Sequence, residues 1–287
     1  MTLRIALIGD IHYPTLASQP KHIQARDEFF RHVFQEFFSL DADVYICVGD
    51  VTHTGHADEW NGIANLLEPY EGKPFRFVLG NHDTLVETKA SVLSRMHQSR
   101  YFTEDFGDVR LMFIDTTHER RRDNWGGVVD THQLDWIRSE ENHMDTPLLL
   151  FGHHPLYNTT AHSSDRMMYI ENSAELEAAV DRAHRPVIYF NGHNHAQSIV
   201  KHPGRENWTC IQTASILSGL CFRTIDVNVH RDATSIKIET RSIDTMAVKS
   251  SRSVLYEAIT DYWHNPLAMG EPADQSMTQT YEAPRLR

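Results

Sequence analysis

The sequence predicts an α/β protein in which two sheets pack face to face and helices cover their outer sides. Up to about residue 195, short apolar runs alternate with amphipathic stretches, which is typical of β-α-β units. After residue 195 the pattern changes, because strand-like segments separated by turns follow one another without a helix. These segments span 196–202, 207–213, 220–229 and 234–242. One compact domain with two sheets accommodates both halves.

The first half opens with a buried strand over 3–8, an apolar run that stops at a Gly-Asp pair. Over 21–40 the apolar residues, many of them phenylalanine, recur at helical spacing, which predicts a core-packed helix. A second buried strand over 44–48 again stops at a Gly-Asp pair, and 58–67 is helical. The third strand, 75–79, is aromatic and β-branched and ends at a glycine.

The alternation continues toward the middle of the chain. The further elements are helices around 86–96, 131–140 and 173–183 and strands over 109–114, 148–151 and 187–190. Near the C-terminus a helix is predicted around 253–263, followed by a tail. The chain is therefore divided into a main domain over 1–245 and a C-terminal helix and tail over 246–287, which either wraps the body or forms an interface.

Charge and composition disfavour several classes of function. The 287 residues carry a formal net charge of −12, which disfavours nucleic-acid polymers, and no apolar run approaches the length of a membrane span. The apolar run over 5–8 is too short for a secretion signal. Three cysteines without a CxxC spacing indicate reduced thiols. We expect a cytoplasmic protein without a membrane or nucleic-acid partner.

Polar side chains that can bind metals follow five of the predicted strands. They are Asp10 and His12, Asp50, Asn81 and His82, His153 and His154, and His193 and His195. Each group has a glycine beside or close to its first member, which lets the backbone approach an ion closely. One such motif is weak evidence, since Gly-Asn is an ordinary turn and 19 histidines make chance pairs common. Five in the same context indicate a single site.

The donor atoms of this set predict a site for two divalent metal ions. Asp10 and His12 are two residues apart, so an extended strand end would project both side chains to one side. Two carboxylates, one amide oxygen and three or four imidazoles, without a thiolate, suit Mn²⁺, Fe or Zn²⁺. They are too many for one ion with an open position. Two ions that share a carboxylate account for them, and such a pair promotes in-line displacement at phosphorus.

The series of motifs resembles the calcineurin-like metallophosphoesterases over roughly residues 3–200. It runs Asp10-x-His12, Gly49-Asp50, Gly80-Asn81-His82-Asp83, Gly152-His153-His154-Pro155 and Gly192-His193-x-His195. The resemblance implies that 1–245 is a catalytic domain with a four-layer α/β/β/α sandwich of two mixed sheets and a dinuclear site. One ion would be bound by Asp10, His12, Asp50 and His195. The other would be bound by Asp50, Asn81, His153 and His193, with Asp50 as the bridge.

The resemblance also implies roles in catalysis. His82 would contact the phosphoryl group or protonate the leaving oxygen as a general acid. Asn81 would help to stabilise the equatorial phosphoryl oxygens. Asp83 is one candidate to orient His82, and His53 is a second. His154 is expected to support its neighbours rather than to bind metal.

Within the family, the sequence is similar to the class III cyclic nucleotide phosphodiesterases and the glycerophosphodiesterases. Gly-Asn-His-Asp over 80–83 and a linker over 127–136 carry this similarity, and the Gly-Asp-x-Val-Asp-Arg-Gly loop of protein Ser/Thr phosphatases is absent. The implied activity is hydrolysis of a small phosphodiester, of cyclic nucleotide or glycerophosphodiester type, by attack of a metal-bridged hydroxide on phosphorus. A broad phosphomonoesterase and a metal-stabilised, non-catalytic binding module are the alternatives. A metal-dependent amidohydrolase would need eight β-α units, which the β-rich second half disfavours.

Substrate specificity is predicted to come from three loops, 13–20, 118–126 and 156–170. Their candidate side chains for a phosphate or a base are Tyr13, Arg120, Arg121, Arg122, Tyr157 and Arg166. A homo-oligomer that uses the C-terminal segment as its interface is also expected.

Overall fold

Within residues 1–16, 19–140, 147–180 and 186–282, which the computed structural model describes, twelve strands form two six-stranded sheets. In chain order the strands are β1 (Thr2–Ile8), β2 (Val44–Cys47), β3 (Phe75–Phe77), β4 (Phe102–Phe106), β5 (Val109–Phe113), β6 (Leu148–Phe151), β7 (Val187–Asn191), β8 (Ser198–Lys201), β9 (Trp208–Gln212), β10 (Cys221–Val229), β11 (Ala233–Ser242) and β12 (Ser276–Glu282). The α-helices are α1 (Pro20–Ser39), α2 (Ala57–Leu67), α3 (Lys89–Arg95), α4 (Thr131–Glu140), α5 (Ser173–Val180), α6 (Ile216–Gly219) and α7 (Met246–Tyr256). Short 3₁₀ turns lie at Glu68–Tyr70, His82–Thr84 and Pro272–Asp274.

Both sheets are mixed. The first has the order β12-β11-β10-β1-β2-β3, in which β1, β2 and β3 are parallel and the other three strands are antiparallel to their neighbours. The second has the order β4-β5-β6-β7-β9-β8, with β5, β6, β7 and β9 parallel and an antiparallel strand at each edge. Parallel strands end at the same edge of a sheet, so the segments that follow them are brought together.

Apolar side chains fill three layers between and outside the sheets. The layer between the sheets includes Phe113, Phe151 and Phe190, whose rings stack at centroid separations of 5.1 and 4.9 Å. Helices α1, α2 and α7 bury their apolar faces on the outer side of the first sheet. Helices α4 and α5 cover the outer side of the second sheet. The predicted four-layer α/β/β/α sandwich is therefore confirmed.

Most predicted elements lie within a few residues of the observed ones, and the differences have local causes. Strand β4 was not predicted, because its sequence Phe-Thr-Glu-Asp-Phe lacks a continuous apolar run. The C-terminal helix starts at Met246 rather than near 253, since the Thr245 hydroxyl caps it by accepting a hydrogen bond from the Val248 amide. The end of the helix predicted over 173–183 lies partly outside the described residues.

The C-terminal segment is part of the layered body. Strand β12 pairs with β11 along seven residues and so forms an edge of the first sheet. A four-residue helix, α6, also lies in the region that was predicted to contain strands only. In the described ranges, no helix is both long and apolar enough to cross a membrane.

Candidate metal centre and active site

Four of the predicted ligands meet where β1 and β2 end. Asp10, His12, Asp50 and His195 are buried, and one donor atom from each lies within 4.8 Å of the other three. The Nε2 atoms of His12 and His195 are 3.0 Å apart, and His195 Nε2 is 3.3 Å from Asp10 Oδ2. Donor atoms that bind one ion at about 2.0–2.2 Å are themselves separated by about 3 Å. This set has the spacing of a metal site.

A second set lies beside the first. The Asn81 Oδ1 atom is 3.1 Å from His153 Nε2 and 3.0 Å from His193 Nδ1. The two histidine nitrogens are 3.3 Å apart. These are the remaining predicted ligands, and their donor atoms have the same close spacing.

The Asp50 carboxylate connects the two sets. Its Oδ2 atom lies 3.6 Å from His12 Nε2 in the first set and 3.3 Å from His153 Nε2 in the second. Its Oδ1 atom accepts a hydrogen bond of 2.8 Å from the main-chain amide of His82. That hydrogen bond fixes the carboxylate so that one oxygen atom faces both sets, as a bridging ligand requires.

Main-chain carbonyl groups orient three of the predicted ligand histidines. His153 and His195 donate from Nδ1, whereas His193 donates from Nε2. The acceptors are the carbonyl oxygens of Val48 at 2.8 Å, Trp263 at 2.8 Å and Met167 at 3.0 Å, respectively. Each hydrogen bond fixes the tautomer and leaves the other ring nitrogen toward the centre, the arrangement common to metal-binding histidines.

The backbone at the site is strained. His12, Asp50, His193 and His195 have φ angles of 50°, 47°, 68° and 51°, in the left-handed region that non-glycine residues seldom adopt. The expectation that strand alternation brings Asp10 and His12 to one side is therefore wrong. Strand β1 ends at Ile8, and the left-handed backbone of His12 interrupts the extended conformation on which the alternation depends.

A glycine allows a close approach to one carboxylate of this centre. A Cβ atom on Gly192 would lie 2.1 Å from Asp10 Oδ1. Asp10 Oδ2 accepts a hydrogen bond of 2.9 Å from the His193 amide, so the loop wraps closely around the carboxylate. Any side chain at 192 would displace it.

The residues present fit a pair of metal ions. Asp10 Oδ1 is buried and has no hydrogen-bond partner in the described ranges. No lysine or arginine there forms an ion pair with Asp10 or Asp50, although both carboxylates are buried. Buried carboxylates need a compensating positive charge. The oxygen and nitrogen donors would supply hard-to-borderline ligands to divalent cations.

Burial and charge determine the protonation of the ligand histidines. Burial, reinforced by the neighbouring His82, holds the pKa of His12 well below its usual range. Burial and then His153 lower the pKa of His193 to about 3. Burial alone would lower the pKa of His153, but the Asp50 carboxylate raises it to about 9. A divalent cation would replace the proton of His153, because metal ligands bind in their deprotonated form.

His82 lies next to both ligand sets without belonging to either. Its Nδ1 atom donates a hydrogen bond of 2.6 Å to the carbonyl oxygen of His53, which leaves Nε2 for the cleft that the ring lines. The His53 ring stacks on His82 at 5.5 Å, and its Nε2 atom lies 2.9 Å from Asp261 Oδ1. The orienting role considered for His53 is thus carried by its main chain.

Asp83 has a different partner set from the one predicted. Its carboxylate accepts hydrogen bonds from the amides of Val51, Thr52 and Gly80 and from the Thr52 hydroxyl, at 2.8–3.2 Å. Burial and then the nearby Asp50 raise the pKa of Asp83 to about 7. The prediction that Asp83 orients His82 is corrected: Asp83 holds the loop after β2, and the His53 carbonyl orients His82.

His154 lies beside the second ligand set, and its expected supporting role stays a prediction. Its Nε2 atom donates a hydrogen bond of 2.9 Å to the Trp125 carbonyl oxygen, and its Nδ1 atom accepts one of 2.8 Å from the Thr116 hydroxyl. Both ring nitrogens are therefore in use within the protein, although the ring packs 4.3 Å from that of His193.

Residues 3–197, more than half of the chain, match the sequence model of the calcineurin-like phosphoesterases. The chain belongs to the calcineurin-like phosphoesterase family. The family and the two ligand sets together indicate a dinuclear site for divalent metals.

Relatives and solved structures agree with this membership. A protein of Fibrobacter succinogenes named a probable cyclic nucleotide phosphodiesterase is 25% identical over 202 residues, which are 69% of this chain and 75% of that protein. A glycerophosphodiester phosphodiesterase of Enterobacter lignolyticus is 27% identical over 165 residues, 53% of this chain and 56% of that protein. A dimetal phosphatase of Danio rerio has the same fold, with a TM-score of 0.63 and 14% identity over 84% of this chain and 99% of that one.

A cleft of about 450 Å³ opens above the ligand sets. The predicted specificity loops contribute Arg121 and Arg122 from 118–126 and Met168 from 156–170. Tyr13 is elsewhere: it is buried against Phe30, with the Arg26 guanidinium 5.0 Å from its ring centroid. Residues 17 and 18 of the first loop lie outside the described residues. Arg120, Tyr157 and Arg166 are not among the described residues that line the cleft.

The C-terminal segment contributes cleft residues that the sequence analysis missed. Asp261, Tyr262 and Trp263 line the cleft, and the Tyr262 ring stacks 5.0 Å from the His195 ring. Leu85 was also missed, and Trp125 was not singled out although it lies in the predicted specificity loop 118–126. The available signal was the pair of adjacent aromatic residues at the end of the helix predicted around 253–263, but the sequence does not indicate where this segment folds back.

Proposed function

We propose that the protein is a phosphodiesterase that hydrolyses a small phosphodiester at a dinuclear metal site. The observation that carries the proposal is the Asp50 oxygen shared between two ligand sets, with His82 beside them. The relatives named as phosphodiesterases support a diester substrate of cyclic nucleotide or glycerophosphodiester type. The donor set supports manganese, iron or zinc as the metal. The ligands are those of the two sets, and His82 and Asn81 act on the substrate.

The protein's own residues bind and protonate the substrate in this proposal. Two divalent ions would supply Lewis-acid chemistry, which lowers the pKa of a water molecule and offsets the charge of the phosphate. His82, fixed through Nδ1 on the His53 carbonyl, holds a proton at Nε2 and delivers it to the leaving alkoxide. The Asn81 Oδ1 atom faces His153 and His193, so its NH₂ group remains to donate to a phosphoryl oxygen.

The cleft and the surrounding charge support a small substrate. A volume of about 450 Å³ suits a metabolite-sized diester. Arg122 is exposed in the cleft and forms no ion pair in the described part of the chain, so it is available to a phosphate oxygen. We also propose that 1–245 is the catalytic domain and that, of the segment 246–287, the described part up to residue 282 packs on that domain and completes the cleft. A homo-oligomer and a cytoplasmic location stay predictions.

The proposal is tested with protein that has been stripped of metal and reloaded with Mn²⁺. The assay compares hydrolysis of the diester bis-p-nitrophenyl phosphate with hydrolysis of the monoester p-nitrophenyl phosphate. We expect preference for the diester, loss of turnover with chelator, and loss in folded Asn81→Ala and His82→Ala variants. Preference for the monoester would instead assign the chain to the phosphomonoesterases. A protein that binds two metal ions but hydrolyses neither ester would contradict the proposal of a general phosphodiesterase.

A further inference from the structure

Two tryptophans are exposed in the cleft, in contrast to the others in the chain. Of five tryptophans, Trp60 and Trp208 are fully buried, whereas Trp125 and Trp263 are each 42% exposed. Both exposed rings line the cleft above the ligand sets. Large aromatic side chains usually bury their apolar surface, and exposed ones grouped in a concave site indicate a ligand.

Both tryptophans are held by histidines of the metal centre. The Trp125 carbonyl oxygen accepts a hydrogen bond of 2.9 Å from His154 Nε2, and the Trp263 carbonyl oxygen accepts one of 2.8 Å from His195 Nδ1. The Trp263 ring also stacks on the His195 ring, at 5.5 Å and 26°. The main chain at each tryptophan is therefore fixed relative to the metal ligands, which reduces the entropy lost when a ligand binds.

The same cleft contains two arginines beside the carboxylates of Asp50 and Asp261, in a protein whose net charge is −12. Arg121 and Arg122 line it, and Arg121 is paired with Asp123 at 2.8 Å. A ligand that fits this cleft has two parts. An anionic group lies near the metal centre and the arginines, and a flat, apolar group lies between or beside the indole rings.

We propose that Trp125 and Trp263 form an aromatic subsite that stacks on the heteroaromatic base of a nucleoside phosphodiester. The subsite makes this protein select nucleoside esters over aliphatic, glycerol-type esters. The inference rests on the proposed function, because it assigns the ester group of the diester that the metal centre hydrolyses. Trp125 and Trp263 are specificity-determining residues in this proposal, and they take no part in proton transfer.

Direct binding tests the subsite without depending on turnover. The probes are adenosine 5′-monophosphate and glycerol 3-phosphate, titrated calorimetrically into the full chain loaded with Mn²⁺. Trp125→Leu and Trp263→Leu are each expected to weaken adenosine monophosphate binding by about 5- to 100-fold, as loss of one base stack does. Glycerol phosphate binding should change far less. Trp125→Phe and Trp263→Phe should recover most of the lost affinity, because a phenyl ring still stacks.

The matched control is Tyr157→Leu. Tyr157 is an aromatic residue that is 53% exposed but does not line the cleft, so this variant should bind both probes as the unmodified protein does. Equal weakening of both probes, no weakening of either, or Phe variants as defective as Leu variants would overturn the subsite. Absence of measurable adenosine monophosphate binding to the unmodified protein would overturn it as well. Selective loss of adenosine monophosphate binding in a protein that hydrolyses no diester would support the subsite and reject the proposed function.

Discussion

His82 Nδ1 donates a hydrogen bond of 2.6 Å to the carbonyl oxygen of His53. A carbonyl oxygen can only accept, so this contact places a hydrogen on Nδ1 and reserves Nε2 for exchange with a substrate. The His82 amide in turn donates to Asp50 Oδ1, the carboxylate shared by both ligand sets. His82 therefore contributes both its own ring, the proposed general acid, and the main-chain amide that positions Asp50, the proposed bridging ligand.

The general-acid role of His82 predicts a dependence on the leaving group. His82→Ala should lower kcat by about 10²- to 10⁴-fold for a diester with an alkoxide leaving group. The loss should be much smaller for a p-nitrophenolate leaving group, which departs without protonation. Steady-state kinetics on both diesters, with metal content measured in parallel, check this. Equal losses on both substrates at unchanged metal content would argue against proton donation.

The shared carboxylate predicts that Asp50 affects both metal ions. Asp50→Ala should lower the affinity for both ions, whereas His193→Ala should lower mainly the affinity for the ion of the second set. Elemental analysis after dialysis against dilute Mn²⁺ measures the number of ions retained. His154→Ala is the control, because both of its ring nitrogens already have protein partners, and it should retain two ions. An Asp50→Ala protein that keeps two ions would refute the bridge.

Gly192 predicts a steric effect on the metal centre. In Gly192→Ala the new Cβ would lie 2.1 Å from Asp10 Oδ1, so the carboxylate must move and metal affinity should fall by about 10-fold or more. Gly72→Ala is a matched control, because a Cβ there meets no atom within 4 Å. Isothermal titration with Mn²⁺ compares the two variants. If both bind Mn²⁺ alike, the loop around Asp10 is more adaptable than its contacts indicate.

Sequence patterns predicted which side chains meet at one site, because each group follows an apolar strand in the parallel part of a mixed sheet. Asp50 and His153 come from different sheets, yet the topology brings them within 3.3 Å. The patterns did not predict contributions of the main chain, such as the His53 and Trp263 carbonyl groups, since any residue type provides them. They also could not place Trp263, which comes from a tail that returns to the site.

A buried cluster away from the metal centre predicts how stability depends on pH. The fully buried Asp115 Oδ2 atom lies 2.6 Å from Lys89 Nζ and 2.5 Å from Arg100 Nε. Burial alone would raise the pKa of Asp115, but Lys89 and then Arg100 more than offset it, so the pKa lies below its usual value. Asp115→Asn should cost about 2–4 kcal/mol of unfolding free energy at pH 7, because Lys89 and Arg100 lose the buried carboxylate that they share, although Arg100 keeps its pair with Asp130.

The sign of this effect with pH follows from the lowered pKa. Asp115 stabilises the folded state above its unfolded pKa of about 3.9, and this contribution is lost as pH falls through that value toward the folded pKa. The difference in unfolding free energy between the unmodified protein and Asp115→Asn should therefore shrink as pH falls below about 4. Urea unfolding at several pH values measures it, with Asp244→Asn, which removes an exposed pair with Lys249, expected to have little effect at any pH. A difference that stays constant down to the lowest pH at which the protein folds would show that the two cations do not stabilise the ionised carboxylate.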